Sequence, residues 1–377
     1  MRHQTAIRWA VEIWILILTG LLLASCQPAI RCGDALGCII IPAGKPILVG
    51  VEKAITGDEQ IISQAVLEGL QYAKSLKPDL ERHSIEFFLQ DAPCSPLERV
   101  KTASFLTSVP DLAIVLGPIC QDKANNFGKM ISDAGVMLIS PGPVSDFEPE
   151  PGWFSLYPSI DALAATIDKL NPPAGFSDYL IVQNRSADQQ FAVQFCDIRK
   201  KNGHDCRIIL NLDIGNYDLS DLSMISIPDS STLFIIMPFT DASSLTGLPE
   251  THLNLNLIYF DPELGKKTDF HTLISNSTIT ITYALPIDAG ILLAKLSPGS
   301  PDMAASIAFD TFNLVVQTIK NVGWVSADNS LVIPRQGLRD ELAATTNFKG
   351  LAGRYACNTA HVCLDPRQFL SQKTSNH

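Results

Sequence analysis

Charged and aromatic residues are scarce in this 377-residue sequence, at 18% and 7%. Apolar residues make up 46%, so a chain of this length can bury a large core. The sequence lacks the Gly-x-Ser-x-Gly turn of many hydrolases, the His-Glu-x-x-His motif of zinc peptidases and the Gly-x-x-x-x-Gly-Lys-Ser/Thr phosphate loop. Without these signatures, we expect no catalytic residues and no enzymatic activity.

Basic residues are too few for a nucleic-acid-binding protein. The chain has 28 Lys and Arg against 39 Asp and Glu, a formal net charge of -11 at pH 7. Nucleic acid is bound by basic patches, so we do not expect it as a partner. The sequence also lacks internal repeats and low-complexity linkers, which favours folded lobes that share several connections.

An N-terminal apolar segment ends at a cysteine. The apolar run from Ile13 to Leu23 follows two arginines and is too short to span a bilayer. The small residues Ala24 and Ser25 then lead into Cys26, and this pattern resembles the bacterial lipobox. The resemblance implies that residues 1–25 are a signal peptide and that Cys26 is lipidated. The alternative is a buried N-terminal helix ending in an incidental cysteine. After Cys26, the sequence has no apolar run long enough to span a membrane.

The remaining eight cysteines fall into neighbouring pairs along the chain. An even number in an exported protein indicates disulfides, although eight cysteines allow many connectivities. We favour the sequential connectivity, which closes the shortest loops. Its pairs are Cys32 with Cys38, Cys94 with Cys120, Cys196 with Cys206 and Cys357 with Cys363. Metal binding is the alternative, but no Cys-x-x-Cys is present and the histidines are scattered, so we expect no metal site.

Hydrophobic periodicity predicts alternating strands and helices. In the first half, the predicted strands are 47–51, 85–89, 112–116 and 136–139, and the predicted helices are 61–72, 96–108 and 123–134. In the second half, strands are predicted at 179–182, 206–210, 232–237, 255–260 and 278–283, and helices at 161–170, 189–202, 219–225 and 301–322. This alternation predicts βαβ units, parallel sheets and an α/β fold.

Four stretches carry a family resemblance: Ile47–Val51, Gln90–Cys94, Val115–Cys120 and Gly135–Gly142. With them the chain resembles the type I periplasmic binding proteins, especially the leucine/isoleucine/valine-binding branch. The stretch Ala305–Asp310 is similar to that family's helix after the last crossover. Cys94 and Cys120 fall where that branch has a disulfide.

The resemblance implies two doubly wound parallel-sheet lobes joined by three crossover strands. The expected boundaries are a signal peptide at 1–25, a lipidated tether at 26–46, an N-terminal lobe at 47–159 and 286–337, a C-terminal lobe at 160–285 and 338–370, and a tail at 371–377. In such a fold, a small ligand binds between the lobes at the carboxyl ends of the strands, where helix N-termini point into the crevice.

The candidate ligand-binding residues at those positions are Gln121, Ser140, Gly142, Ser145, Tyr157, Arg185 and Asp261. Each has a structural alternative. Turn formation would account for Ser140, Gly142 and Asp261. Helix initiation or capping would account for Gln121 and Ser145. Core packing would account for Tyr157, and solvation for Arg185.

Two positions depart from the family pattern. Where the family commonly has a hydroxyl residue for the ligand carboxylate, this chain has Gln121. Where the family has a threonine two residues after Gly142, this chain has Val144. A zwitterionic amino acid would leave part of its buried charge unsatisfied. We therefore expect a less charged ligand, or weaker amino-acid binding than in the family.

The resemblance implies an extracytoplasmic solute-binding lipoprotein of a bacterial ABC importer, anchored at the cell surface or in the periplasm. It would bind a small polar molecule, such as an amino acid or an amide, without a cofactor and present it to a membrane permease. The alternative is a non-transport envelope lipoprotein that uses this fold as a ligand sensor or as a scaffold for another envelope protein.

Overall fold

The computed structural model describes residues 31–54, 59–91, 96–119, 125–142, 144, 147–172, 177–184, 186–213, 226–228, 231–236, 254–259, 278–284, 302–368 and 370–375. The chain divides into two units, Met1–Gly33 and Asp34–His377. Of the first unit only residues 31–33 are described, without helix or strand. The architecture that follows is that of the second unit.

The described helices are α1 (Glu59–Leu76), α2 (Pro96–Thr107), α3 (Asn125–Asp133), α4 (Ile160–Leu170), α5 (Ser186–Lys201), α6 (Asp302–Val322) and α7 (Arg335–Ala343), with a 3₁₀ turn at Pro366–Gln368. The described strands are β1 (Cys38–Ile41), β2 (Ile47–Lys53), β3 (Asp79–Leu80), β4 (His83–Asp91), β5 (Leu112–Leu116), β6 (Met137–Ser140), β7 (Trp153–Ser155), β8 (Ser177–Gln183), β9 (Asp205–Leu212), β10 (Thr232–Ile236), β11 (Asn254–Tyr259), β12 (Thr278–Ala284), β13 (Trp324–Val325), β14 (Leu331–Pro334), β15 (Phe348–Lys349), β16 (Arg354–Tyr355) and β17 (Leu370–Ser375).

Two six-stranded sheets form the framework of the molecule. The first has the order β3-β4-β2-β5-β6-β7, and the second has the order β17-β12-β11-β10-β8-β9. All neighbours pair in parallel except β3 with β4 and β12 with β17. Leaving out these two edge strands, each sheet runs second-first-third-fourth-fifth in chain order, a doubly wound pattern. The predicted α/β class with two parallel sheets is confirmed.

The core is continuous across both lobes. One cluster of buried apolar side chains includes Val49 and Ile114 of the first sheet, Val182 and Phe234 of the second, and Phe312 of α6. Strands buried on both faces explain why β5, with the sequence Leu-Ala-Ile-Val-Leu, has no polar residue.

Helix α1 packs closely along α6. The apolar residues Val66, Leu70 and Ala73 recur at helical spacing and are buried in this contact region. A Cβ added at Gly69 would lie 2.1 Å from the carbonyl oxygen of Ala305, so glycine is needed for the helices to approach this closely.

A small antiparallel sheet accompanies the first lobe, with the order β1-β14-β13. β1 lies within the range predicted to be a tether. Asp34, also in that range, accepts hydrogen bonds from the backbone N–H groups of Gln336 and Gly337, both at 3.0 Å, and so caps α7. Residues 34–46 are therefore part of the folded body. The other predicted domain boundaries stay predictions.

In chain order, the polypeptide passes between the two sheets three times: after β7, after β12 and after α7. The first and third passages are hydrogen-bonded to each other. The Ser155 N–H donates to the His361 carbonyl, and the Cys363 N–H donates to the Ser155 carbonyl, both at 2.9 Å. Asp310 of α6 accepts hydrogen bonds from the N–H groups of Leu351 and Ala352 ahead of the third passage.

The structure contains two of the predicted disulfides, Cys196–Cys206 and Cys357–Cys363. Cys32 and Cys38 are also disulfide-bonded. Cys94 and Cys120 lie outside the described residues. The first disulfide links α5 to β9, and the second closes a turn of the third passage.

Candidate functional site

A cavity of about 330 Å³ opens between elements of the two lobes. Val144 and Phe147 line it from the segment after β6, in the first lobe. Ser159 to Asp161 line it from the start of α4. The lining residues of α5 are Gln189, Gln190, Val193 and Gln194. β6 and β8 both end next to lining segments, so the cavity lies at the carboxyl ends of parallel strands, where such folds bind ligands.

The lining is apolar with a few hydrogen-bonding groups. Val144, Phe147, Ile160 and Val193 are the apolar residues. The polar ones are three glutamine side chains, one hydroxyl and one carboxylate, contributed by Gln189, Gln190, Gln194, Ser159 and Asp161. No lysine, arginine or histidine is among the described lining residues. This part of the cavity thus suits an uncharged or cationic polar molecule better than an anion.

Two helix N-termini border the cavity. Ser159 caps α4, since its hydroxyl accepts a hydrogen bond of 3.2 Å from the Ala162 N–H. Asp161 lies in the first turn of α4, and Asp188 lies in the first turn of α5. Carboxylates at these positions already compensate the positive ends of the two helix dipoles, which again disfavours an anionic ligand there.

Gln189 also has an internal partner. Its side-chain amide donates a hydrogen bond of 2.8 Å to the Asn211 side chain, near the end of β9. This contact fixes the orientation of an amide at the cavity wall. A preset donor or acceptor costs less conformational entropy when a ligand binds.

The structure brings three of the predicted ligand-binding residues close together. Ser140 ends β6, Gly142 is two residues further on, and Tyr157 lies just after β7. The Leu156 N–H donates a hydrogen bond of 2.9 Å to the Ser140 carbonyl, which joins the two segments. All three residues are buried.

The side chain of Ser140 is engaged within the first lobe. Its hydroxyl donates to the Gly117 carbonyl at 2.8 Å and accepts from the indole N–H of Trp153 at 2.9 Å. These bonds connect the carboxyl ends of β5 and β6 to the first residue of β7. The ring of Tyr157 belongs to the apolar core. Ligand contact by either residue stays a prediction.

The other predicted ligand-binding residues are Gln121, Ser145, Arg185 and Asp261, and they lie outside the described residues, as does Cys26. Their roles stay predictions.

A buried carboxyl group lies at the same edge of the first sheet. Glu52, near the end of β2, is fully buried, and its Oε2 accepts a hydrogen bond of 2.8 Å from the Ile119 N–H. A Cβ added at Gly117, where φ is +153°, would lie 3.1 Å from that oxygen. Burial raises the pKa of Glu52 to about 7, although the charge of Arg99 and the Ile119 N–H act to lower it.

Several residues at this site were not predicted from the sequence. The glutamines of α5 are polar residues of a predicted helix, and Glu52 is the one acidic residue of β2. Periodicity places Gln189 on a helix but cannot show that its side chain faces another lobe. An acid inside the run Ile47–Lys53 was the one available signal for Glu52.

Among the residues that the structure covers, no helix is long and apolar enough to cross a membrane. A search of the same residues for three or more His, Cys, Asp or Glu side chains grouped around a possible metal position finds none.

Solved structures with this fold are numerous, although they share little sequence with the chain. The leucine-binding protein LivK of Thermotoga maritima is 13% identical, covering 88% of this chain and 97% of that one, with a TM-score of 0.61. LivJ of Streptococcus pneumoniae, in complex with isoleucine, is 15% identical, covering 88% and 100%, with a TM-score of 0.60. A solute-binding protein of an R. palustris ABC transporter, in complex with 4-hydroxybenzoate, is 15% identical, covering 88% and 93%, with a TM-score of 0.63.

No protein-family model matches the chain. No curated protein matches it either. The similarity to solved structures therefore establishes the fold, that of the type I periplasmic binding proteins, over nearly nine-tenths of the chain.

Proposed function

We propose that this protein is a solute-binding lipoprotein of a bacterial ABC importer, held outside the cytoplasm by lipid on Cys26. It binds a small polar molecule between its lobes, catalyses no reaction and presents the liganded form to a membrane permease. The observation that carries this proposal is the cavity between the two lobes, at the strand ends of a fold shared with transporter-associated binding proteins.

The ligand is uncharged or cationic and rich in hydrogen-bonding groups, for example an amide or a polyol. Three cavity glutamines can each donate and accept hydrogen bonds, and Asp161 can pair with an ammonium group. Gln121, Ser140, Gly142, Ser145, Tyr157, Arg185 and Asp261 are the further contacts we propose. Val144 is an apolar part of the lining, and its side chain has no hydrogen-bond donor for the carboxylate of an amino acid.

A thermal-shift screen of the mature protein tests this proposal. The screen covers amino acids, amides, polyols, small amines and aromatic carboxylates. A ligand at 100 times its dissociation constant should stabilise the folded state by about 2.7 kcal/mol. We expect amides, polyols or amines to raise the melting temperature, and leucine and benzoate to have little effect.

Matched variants then locate the site. Gln190→Ala and Asp161→Asn should weaken binding at least about tenfold in calorimetric titration, the usual loss when a ligand contact is removed. Gln64→Ala removes a similar side chain from the exposed part of α1 and should leave affinity unchanged. Tight leucine binding that both cavity variants retain would overturn both the site and the ligand class. A screen without any hit would favour a protein-binding scaffold.

Replacement of Cys26 tests the anchor. The Cys26→Ala protein should leave the membrane fraction or accumulate as an unprocessed precursor, because the acyl chains supply the membrane affinity. Processed Cys26→Ala protein that stays in the membrane fraction would contradict the proposal. A Cys32→Ala variant is the control and should remain membrane-bound.

A further inference from the structure

The small sheet β1-β14-β13 carries an apolar outer surface. Its strands read Cys-Ile-Ile-Ile, Leu-Val-Ile-Pro and Trp-Val, without one charged residue. Ile40 and Trp324 both pair in register with Val332, so these three side chains lie in a row on one face. Val332, in the middle of the row, is fully buried, whereas Ile40 is 37% exposed and Trp324 is 42% exposed. Val325 pairs with Leu331 and so lies on the opposite face, where it is 44% exposed on the outer strand.

This surface is not needed for the core. The opposite face of the sheet supplies the core contacts, through the buried residues Ile39, Ile41, Leu331 and Ile333. Ile40 and Trp324 can therefore contact another apolar phase without disturbing the packing of the lobe.

The edges of the sheet carry no charge or proline, and β13 is limited only by its length of two residues. Exposed edge strands usually carry a charge, a proline or a bulge that prevents association. β1 and β13 are the two edge strands, and neither has a charge or a proline. Among the strands that the structure describes, none pairs with either outer edge. Charged residues begin beyond the strands, with Asp328 in the β13–β14 turn and Lys320 in the last turn of α6.

The chain connects this sheet to the proposed anchor over a short distance. β1 begins at Cys38, 12 residues after Cys26. At about 3.3–3.6 Å per residue, even a fully extended segment reaches only about 40 Å. If Cys32 pairs with Cys38, as the sequence predicts, the free segment shortens to six residues, or about 20 Å.

We propose that the exposed side chains of Ile40 and Trp324 form the surface through which the protein rests on the membrane that holds its acyl chains. The partner is the interfacial region of the lipid bilayer, where tryptophan is favoured because its ring is apolar and its N–H is polar. Helix α2 also has exposed apolar side chains, Leu97, Val100 and Phe105, but no short segment of chain connects it to Cys26. The inference rests on the proposed lipidation of Cys26.

The tryptophan content allows a direct test. Of the four tryptophans, Trp9 and Trp14 lie in the predicted signal peptide, so the processed protein keeps two. Trp153 is fully buried, whereas Trp324 is exposed in the row. A quencher within the bilayer will therefore report on Trp324, and a Trp324→Phe variant gives the emission of Trp153 alone.

The experiment uses the full chain, processed and lipidated in a bacterium and checked by mass spectrometry. It is reconstituted into vesicles of phosphatidylethanolamine and phosphatidylglycerol, with and without phosphatidylcholine brominated near the headgroup end of its acyl chains. We expect brominated lipid to lower the emission of Trp324 at least about twofold, since interfacial groups lie within roughly 5–10 Å of the acyl boundary. The emission of Trp324→Phe should not change.

Polar substitutions provide the matched comparison. Ile40→Glu should abolish the quenching of Trp324, and Ile40→Gln is a second, uncharged variant in case the first fails to fold. Leu97→Glu places the same charge on the exposed surface of α2 and should leave quenching intact. Quenching that survives both Ile40→Glu and Ile40→Gln would overturn the proposal.

Vesicle flotation separates this inference from the proposed function. If the protein floats with vesicles but Trp324 is not quenched, the anchor stands and the contact surface is wrong. If the protein does not float and carries no lipid at Cys26, the anchor itself is refuted, and the contact surface with it.

Discussion

Glu52 is an ionisable group that the fold holds in an unfavourable environment. It is fully buried at the carboxyl end of β2, with one oxygen on the Ile119 N–H and the other without a hydrogen-bond partner among the residues that the structure describes. Its pKa rises from an ordinary value of 4.5 to about 7 on burial. The folded state therefore binds the Glu52 proton more tightly than the unfolded state does.

This shift predicts a specific pH dependence. The stability that protonated Glu52 contributes is fully present below about pH 4.5 and is lost as the pH rises to about 7, a loss of about 3 kcal/mol at most. Gln at this position keeps an oxygen for the Ile119 N–H but cannot ionise. Between about pH 5 and about pH 8, the Glu52→Gln protein should lose much less of its free energy of unfolding than the wild type. Urea unfolding at both pH values measures this.

Two comparisons make the Glu52 result interpretable. Burial also raises the pKa of Asp310, to about 6, but that group is present in both proteins and cancels in the difference. Glu86→Gln changes an exposed residue of β4 and should keep the wild-type dependence on pH. If the free energy of unfolding of Glu52→Gln depends on pH as strongly as that of the wild type, Glu52 is not buried as described.

At the scale of elements, one arginine joins several parts of the second lobe. Arg199, in the last turn of α5, is fully buried. It lies 3.1 Å from a carboxylate oxygen of Asp168 in α4 and 3.2 Å from one of Asp178 in β8, and it donates to the Asn171 carbonyl. Its guanidinium group also stacks over Phe195, 4.7 Å from the ring centre. These contacts hold α4 and α5 in place, and both helices begin at the cavity.

Removal of this arginine should be costly. Arg199→Leu leaves two carboxylates without their cation, one of them almost fully buried, and we expect a loss of about 3–5 kcal/mol in the free energy of unfolding. The matched control is Arg207→Leu. Arg207 lies 2.8 Å from Asp205, but both side chains are exposed, so this change should have no measurable effect. Urea unfolding measures the free energy of unfolding of both variants. If Arg199→Leu and Arg207→Leu lose the same amount, Arg199 has no special structural role.

At the scale of the whole molecule, the arrangement of the lobes allows closure on a ligand. The lobes have the same strand order, and the passages between them are few. The first and third passages pair through Ser155, which couples their movement. Hinge closure requires such short connections, with most of each lobe free to move as a rigid body.

Closure predicts a change that small-angle X-ray scattering can measure. A ligand found by the thermal-shift screen should lower the radius of gyration by about 1 Å, from the roughly 20 Å expected for a compact chain of this size. The Gln190→Ala and Asp161→Asn proteins should show no such change at the same ligand concentration. An unchanged radius at saturating ligand would indicate a cleft that binds without closing.

Strand and helix positions with long apolar periodicity were predictable. Strand β5 was predicted at its exact bounds, and α6 was predicted to within one residue, because a buried strand is apolar throughout and a helix repeats its apolar face. Strand β7 and helix α7 were not predicted. β7 has three residues, and α7 is capped by Asp34 from the other end of the chain. Local pattern carries no information about such a distant partner.

The sequence by itself determined the α/β class and the alternation of elements, since both depend on side chains within a few residues of one another. The fold family was indicated by the resemblance of four sequence stretches. The tertiary structure alone decided which polar groups face the cavity, which arginine is buried between carboxylates and which strand of the small sheet is exposed. Gln190, Arg199 and Trp324 look unremarkable in sequence. Their environments come from residues far away along the chain, and burial, charge pairing and exposure arise only when those segments meet.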